Sequence, residues 1–333
     1  SRRRGGPRGQ VDAQAVAQAV AQAGSRADGR ADVKAAAWPE GGGMRWTEPV
    51  FRPPSEAESL LLPVTVGCSH NRCAFCAMYR TKKFGVLDLP GILQDIEEAR
   101  GWPGVRRAFL LDGDALAAPT DLLAEVLEAI RERLPWIERV GVYGDAMAIL
   151  RKGPADLARL HGLGLGIVYH GIESGSAEVL RRVGKPVSRE QMAEVRRAMK
   201  GSGVRHSVMA LLGLGGTELT EEHAAGTAEA LSILDPDYVG LLTMMVVPGT
   251  SLHLRMQRGQ FALPDRWGML RELRTVLAGL RVTGARFSAN HASNFLPIVG
   301  DLPRDQEGLL ARVDRVLETG DEGLLRPEWR RGL

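Results

Sequence analysis

Cysteine is scarce in this sequence, and so are aromatic residues and long apolar runs. Of the 333 residues, three are cysteines, 5% are aromatic and 25% are charged. A small, odd number of cysteines makes a poor disulfide framework, and no apolar run is long enough to cross a bilayer. We see no secretory signal pattern either. These absences favour a cytoplasmic globular protein with no membrane partner.

A net charge of one sign is also missing from most of the chain. The formal net charge is +3, and residues 1–43 account for all of it, with seven basic and four acidic residues. Residues 44–333 are balanced and give no electrostatic reason to expect a nucleic-acid partner. The first 43 residues predict a disordered tail, with Met44 as an alternative, native start. A short Ala-rich helix at residues 11–23 is the competing interpretation.

Short apolar runs alternate with helical patterns between residues 60 and 250. Strands that alternate with helices form parallel sheets with right-handed crossovers. The pattern therefore predicts an α/β fold, either a doubly wound sheet or an incomplete barrel, with ligands at the carboxyl ends of the strands. Residues 251–333 lose this rhythm and predict helices near 265–280 and 304–318. The six apolar runs that predict strands begin near residues 60, 105, 139, 165, 204 and 237.

All three cysteines lie on one segment, GCSHNRCAFC at residues 67–76, directly after the first predicted strand. Their spacing is Cys68-x4-Cys73-x2-Cys76. Three thiolates on a tight loop can bind three irons of a cubane iron–sulfur cluster and leave the fourth iron open. A zinc site made by the cysteines with His70 or a distant histidine is the alternative.

This segment resembles the cysteine motif of the radical SAM superfamily. In that superfamily three cysteines follow the first strand of a partial (β/α)6 barrel, and an aromatic residue precedes the last cysteine, as Phe75 does here. The first gap is one residue longer than the usual C-x3-C-x2-C. The resemblance implies a 4Fe-4S cluster on Cys68, Cys73 and Cys76, with S-adenosylmethionine (SAM) bound to the open iron.

The resemblance also divides the chain into segments around a partial, TIM-like (β/α)6 barrel with parallel strands. The implied segments are a tail at 1–43, a lead-in at 44–59, the barrel at 60–250, and a mainly helical C-terminal extension at 251–333 that covers the barrel.

Four later segments resemble SAM-binding motifs, especially those of the branch that contains anaerobic coproporphyrinogen oxidase and the Elp3-like proteins. They are DGDA (112–115), GIESGS (171–176), LLGLGG (211–216) and VVPGT (246–250), each after a predicted strand. The resemblance implies that the first segment contacts the amino group of SAM and the second its ribose or carboxylate. The last two segments would contact its adenine. Taken alone, each segment also fits a turn or a helix cap. The residues that the resemblance assigns to SAM are Phe75, Gly113, Asp114, Glu173, Ser174, Gly213, Gly215, Val247 and Pro248.

The implied activity is that of an oxygen-sensitive oxidoreductase. Reductive cleavage of SAM would give a 5′-deoxyadenosyl radical that abstracts hydrogen from a small-molecule substrate, with flavodoxin or ferredoxin as electron donor. Because no cysteine lies outside the loop, we expect no auxiliary cluster, and no stretch is left for a cobalamin domain. A zinc-stabilised α/β barrel protein that binds a nucleotide-like ligand without radical chemistry is the alternative function.

Candidates for substrate contact or acid–base chemistry are fewer. Asn290 and His291, in the polar segment NHASN, are two candidates, and Tyr169 near the end of the fourth strand is a third. The alternative for Asn290 and His291 is a loop whose polar side chains hydrogen bond to its own backbone. The alternative for Tyr169 is a residue of the core. The segment from Tyr79 to Lys83, with Arg80 and Lys82, predicts either a solvated face or a basic edge for an acidic electron donor or an anionic substrate.

Overall fold

The computed structural model describes residues 45–332. The expectations for residues 1–43 and for Met44 lie outside this range. Within it, no helix is long and apolar enough to cross a membrane.

The strands of the described residues are β1 (Leu60–Pro63), β2 (Thr65–Val66), β3 (Gly85–Val86), β4 (Arg107–Leu111), β5 (Arg139–Tyr143), β6 (Leu165–Glu173), β7 (Arg205–Leu212), β8 (Tyr238–Thr243), β9 (Ala285–Ser288) and β10 (Val299–Leu302). Eight of them form one open sheet in the order β1-β4-β5-β6-β7-β8-β9-β10. Neighbouring strands from β1 to β9 pair in parallel, and β10 pairs antiparallel with β9. The six predicted strands are β1 and β4 to β8, which confirms the α/β fold with a mostly parallel sheet.

Nine α-helices accompany these strands in the described part of the chain. Most of them begin at a side-chain cap, as where Asp145 accepts a hydrogen bond from the Ala148 amide at 2.7 Å. The helices are α1 (Leu89–Glu98), α2 (Thr120–Arg133), α3 (Ala146–Gly162), α4 (Ala177–Arg182), α5 (Arg189–Ser202), α6 (Thr220–Leu234), α7 (Ser251–Gln257), α8 (Arg266–Gly279) and α9 (Gln306–Thr319).

Apolar side chains are buried on both faces of the sheet. Leu62 and Leu110 belong to the large core cluster, which also contains buried residues of the helices. Leu61, Phe109 and Leu111 alternate with them and form a second cluster on the other face. Burial on both faces explains why the strands read as continuous apolar runs and not as alternating ones.

The C-terminal extension is mainly helical, as predicted, and helices α8 and α9 lie close to the predicted ranges. It also contributes two strands that the sequence pattern did not predict. The segment Ala285–Ser288 pairs with β8, and Val299–Leu302 pairs with it in turn. The extension thus continues the sheet.

Candidate active site

The cysteines lie on a loop, residues 67–84, that leaves the sheet just after β1. The short strands β2 and β3 pair with each other and close the two ends of this cysteine loop. The Gly67 amide donates to the Asp112 carboxylate at 3.0 Å, and the Gly67 carbonyl accepts from Gly113 at 3.0 Å. Lys82 forms a buried ion pair with Asp112 at 2.6 Å. These contacts fix both ends of the loop to the carboxyl end of β4.

The longer first gap of the motif is accommodated at Asn71. Asn71 has a φ of 42°, a left-handed conformation that asparagine tolerates better than most residues. Its side-chain amide donates to the carbonyls of Tyr79 at 2.8 Å and Lys82 at 3.1 Å. The longer first gap therefore contains a left-handed residue whose side chain is held by the far side of the loop.

The three thiols are half-buried and free of disulfides. Burial raises the pKa of all three, that of Cys73 to about 12. At Cys73 and Cys76, Lys185 opposes this rise and Glu173 adds to it. The charges of Lys185 and Glu173 therefore lie close to Cys73. Three soft sulfur ligands on one anchored loop fit an iron–sulfur cluster.

The zinc alternative finds no support in this geometry. The Nε2 atom of His70 lies 2.6 Å from the Gly184 carbonyl and is engaged in that hydrogen bond. Within residues 45–332, no three His, Cys, Asp or Glu side chains are grouped so as to hold one metal ion.

The loop after β4 supports the cysteine loop through Gly113 and Asp114. Asp114 is fully buried, accepts hydrogen bonds from Ser69 and from the Asp145 amide, and has a pKa raised to about 7 by burial and by the Asp145 charge. The Tyr79 ring packs on Gly113 so closely that a Cβ there would lie 2.4 Å from the ring. The amide of Gly113 and the carboxylate of Asp114, which we expected at SAM, are thus used inside the protein.

The end of β6 presents a charged pair to the cysteine loop. Glu173, with a φ of 65°, accepts a hydrogen bond from Lys185 at 2.9 Å, and the two side chains are only 14% and 16% exposed. Lys185 also donates to the Gly171 carbonyl at 2.6 Å. The structure therefore brings Glu173 and Lys185 close to Cys73. The contact of Glu173 with SAM stays a prediction, and Lys185 was not among the residues predicted from the sequence. The available signal was a lone lysine in the turn after a short helix, twelve positions beyond Glu173.

Ser174 does not join this pair. It is fully buried, and its hydroxyl lies 2.8 Å from Nδ1 of His223 and accepts from the Ser176 amide at 3.1 Å. Its hydroxyl anchors the loop after β6 to helix α6. The Ser174 hydroxyl is thus engaged within the protein, and its contact with SAM stays a prediction.

The glycines after β7 have packing reasons of their own. The Gly213 amide donates to Glu272 at 2.5 Å, and a Cβ at Gly213 would lie 2.3 Å from Met269. A Cβ at Gly215 would lie 2.8 Å from the His223 side chain. The positive φ of Gly213, 84°, and the Leu219 carbonyl oxygen, which would lie 2.8 Å from a Cβ at Gly215, favour glycine without any adenine ring beside them.

The segment after β8 forms a turn in front of α7. The Val247 carbonyl accepts from the Thr250 hydroxyl at 2.7 Å, with Pro248 exposed between them. The following Leu252 amide donates to the Ala74 carbonyl at 2.9 Å, so this segment reaches the cysteine loop. Phe75, next to Ala74, packs on the apolar cluster that contains Leu252.

A cavity of about 630 Å³ lies behind the cysteine loop, and no cysteine lines it. Its walls come from α4, the loop after β7, and α7. Two of its lining residues, Val183 and Leu252, hydrogen bond to the main chain of Ala74. Two wall residues of the cavity are therefore joined by hydrogen bonds to the backbone between Cys73 and Cys76.

The three candidates for substrate chemistry lie in different places. The Tyr169 hydroxyl donates to the buried Glu56 at 2.5 Å, and Tyr169 belongs to the inner apolar cluster, so the structure does not bring it to the cysteine loop. Nδ1 of His291 accepts from the Ser293 amide at 3.2 Å and lies 2.9 Å from the Ser293 hydroxyl. The Ser293 hydroxyl in turn accepts from Thr243 at the carboxyl end of β8. Asn290, by contrast, accepts from Ser288 in its own loop.

The predicted basic edge is exposed only in part. Lys82 is buried against Asp112, and Tyr79 is buried as well. Arg80 is exposed but donates to main-chain carbonyls of the cysteine loop, and Lys83 is exposed. A docking edge for an electron donor stays a prediction.

The sequence matches the Radical SAM superfamily over residues 62–231, half of the chain. The chain belongs to the radical SAM superfamily. No curated protein matches it. Membership confirms the resemblance inferred from the cysteine motif, and the cofactors of this superfamily are a 4Fe-4S cluster and SAM.

Several solved structures of radical SAM proteins are similar to the chain. The radical SAM methyltransferase TsrM from Kitasatospora setae, with cobalamin and a 4Fe-4S cluster bound, is 20% identical with a TM-score of 0.50 and covers 60% of this chain. This chain spans only 39% of TsrM. Coproporphyrinogen III oxidase from Escherichia coli (16% identity, TM-score 0.48) covers 66% of this chain, which spans 51% of it. Elp3 from Methanocaldococcus infernus (14% identity, TM-score 0.47) covers 79% of this chain, which spans 64% of it.

Proposed function

We propose that this protein is a radical SAM enzyme that abstracts hydrogen from a small-molecule substrate. The proposal is supported by one observation above all, the closeness of the Cys73 and Cys76 thiols to the Glu173–Lys185 pair at the carboxyl edge of the sheet. When bound, the cluster supplies the electron that cleaves SAM to methionine and a 5′-deoxyadenosyl radical. The three cysteines would hold three of its irons.

The Glu173–Lys185 pair offers both charges that SAM requires. SAM carries an amino group, a carboxylate and ribose hydroxyls, and Lys185 can donate to its carboxylate while Glu173 accepts from a hydroxyl or the amino group. Because the two side chains are already paired and mostly buried, they are oriented before SAM binds. This ordering lowers the entropy that binding must overcome.

His291 is the remaining candidate for substrate contact. Its loop is attached to the carboxyl end of β8, the same edge of the sheet that carries the cysteine loop. With Nδ1 accepting from the Ser293 amide, the ring would offer an N–H donor at Nε2 to a substrate oxygen or nitrogen. We retain flavodoxin or ferredoxin as the proposed electron donor.

The test is anaerobic reconstitution of the full chain with iron and sulfide, followed by SAM and dithionite. We expect about four irons with matching sulfide, and 5′-deoxyadenosine detected by mass spectrometry. Cys68→Ala should abolish the product, and Lys185→Met should weaken SAM binding about tenfold, the loss of one charge-assisted hydrogen bond.

His70→Ala serves as the matched control, because it removes the candidate zinc ligand and leaves the three cysteines. It should retain its iron and its product. Zinc without iron or sulfide in the wild type, lost again in His70→Ala, would contradict the proposed function.

A further inference from the structure

The side chain of Arg80 contacts the cysteine loop at three points. Nε donates to the carbonyl of Cys76 at 3.0 Å, Nη1 donates to the carbonyl of Asn71 at 3.1 Å, and Nη2 donates to the carbonyl of Cys73. All three guanidinium nitrogens are therefore engaged with main-chain oxygens. Two of these oxygens belong to predicted cluster ligands, and the third belongs to the left-handed residue of the longer gap.

Only arginine can make this set of contacts. The guanidinium is planar and presents its donors in a fixed fork, so three carbonyls that face it become fixed relative to one another. A lysine ammonium is a compact charge on a flexible stem and cannot span the three oxygens. Since Arg80 is exposed, its role in the hydrophobic core is small, and its effect is directed at the loop.

The position of the charge has a second consequence. Reduction of an iron–sulfur cluster adds a negative charge, and a nearby cation favours the more negative state. Net charge and hydrogen bonding around a cluster are among the factors that set its potential. A cation bound to the peptide groups of two ligand cysteines should therefore raise the reduction potential.

We propose that Arg80 is a positioning residue that holds the cysteine loop in its cluster-binding shape and raises the reduction potential of the cluster. The inference rests on the proposed function, because it requires a cluster on Cys73 and Cys76.

The chain offers a matched control in Arg72. Arg72 is an exposed arginine on the same loop, and its side chain forms no hydrogen bond or ion pair within residues 45–332. Arg72→Gln removes the same charge from the same loop and leaves the three carbonyl contacts intact. Arg80→Gln removes the charge and the fork together, and Arg80→Lys keeps the charge and removes the fork.

The experiment compares the full-length wild type and these three variants after anaerobic reconstitution. Two quantities are measured, the rate at which a chelator removes iron and the midpoint potential from a redox titration followed by electron paramagnetic resonance. We expect Arg80→Gln and Arg80→Lys to release iron about tenfold faster than the wild type. We expect a more negative midpoint potential in Arg80→Gln and a smaller shift in Arg80→Lys. Arg72→Gln should release iron at the wild-type rate.

Two outcomes would overturn the inference. One is iron release at the wild-type rate in both Arg80 variants, and the other is an Arg72→Gln variant that behaves like Arg80→Gln. Thermal melting of the metal-free proteins separates loss of the loop from loss of the fold, since Arg80→Lys should melt like the wild type. A wild type that binds no iron would refute the proposed function instead, and is thereby distinguished from failure of this inference.

Discussion

At the scale of single residues, the ion pair between Lys82 and Asp112 connects the cysteine loop to the sheet. The two side chains are 3% and 4% exposed, and the same carboxylate also accepts from the Gly67 amide. Burial raises the pKa of Asp112, and the hydrogen bond from Lys82 lowers it. Removing one member of a buried pair leaves the other charge without compensation, which costs more than the pair itself contributes.

Lys82→Met should therefore lower the free energy of unfolding by about 3 kcal/mol at pH 7.5. The loss should shrink as the pH falls, because a protonated Asp112 no longer needs a cation. The measurement is urea unfolding under reducing conditions at pH 7.5 and pH 5.5. Arg100→Met is the control, since the Arg100–Glu97 pair is 59% and 51% exposed and should change stability by less than about 0.5 kcal/mol. Equal losses in the two variants would contradict the prediction.

The sequence was most informative about residues whose chemistry is local. The three cysteines stand together in the chain, and Glu173 ends a strand, so both were predicted. The partner of Ser174, His223, was not predicted, because it lies 49 positions away and nothing near Ser174 in the sequence indicates it. Lys185 was missed for the same reason, since its importance comes from its distance to Cys73 and Glu173 in the fold.

At the scale of elements, the loop after β6 rests directly on the backbone of helix α6. A Cβ at Gly226, in the middle of α6, would lie 3.0 Å from the main chain of Gly175 and Ser176. The contact is backbone against backbone, so no side chain can move aside. Glycine is otherwise unfavourable inside a helix, by about 1 kcal/mol relative to alanine, and is explained here by this close approach.

Gly226→Ala should destabilise the protein by about 1–2 kcal/mol, because the strain of overpacking exceeds the gain in helix propensity. It should also weaken SAM binding, since the displaced loop carries Glu173. Gly308→Ala, in α9, is the opposite case, because nothing lies within 4 Å of its Cβ, and it should stabilise by up to about 1 kcal/mol. Urea unfolding of both variants and SAM titration of the reconstituted Gly226→Ala protein test this. A stabilised Gly226→Ala would contradict the packing account.

The elements that the sequence predicted are those buried on both faces. Strands β1 and β4 to β8 are continuous apolar runs between helical patterns, and that arrangement has few interpretations. Strand β9, Ala285–Ser288, has the sequence ARFS with an exposed Arg286, and β10 contains Gly300 and Asp301. Such short, half-polar strands depend on pairing, β9 with β8 and β10 with β9, and not on local propensity, so the pattern alone did not reveal them.

At the scale of the whole molecule, three buried histidines make stability depend on pH. His170 and His206 lie on adjacent strands with stacked rings 5.4 Å apart, and His223 lies in α6. Burial lowers the pKa of His206 to about 3 and that of His223 to about 4, and it lowers the pKa of His170 well below its usual value. The charge of Lys200 lowers the pKa of His206 further. His206 and Lys185 have the same effect on the pKa of His170.

The direction in which stability changes with pH follows from proton binding. Below pH 6.5 the unfolded histidines bind protons that the folded ones do not, so the free energy of unfolding falls as the pH falls. At pH 5 the loss from His206 is about 2 kcal/mol. Glu272 acts in the opposite direction, because burial raises its pKa to about 7 and the folded state binds its proton first as the pH is lowered.

His206→Phe separates these contributions. The variant keeps a flat ring against His170 and removes one titrating group, whose Nδ1 atom is buried without a hydrogen-bond partner and whose Nε2 atom lies 3.2 Å from Nδ1 of His170. Between pH 7.5 and pH 5 the variant should lose about 2 kcal/mol less stability than the wild type, measured by urea unfolding at each pH. The comparison uses the difference between two pH values in each protein, so a uniform change in stability caused by the substitution cancels. Parallel pH profiles for the two proteins would show that His206 is not held neutral by burial and would refute the prediction.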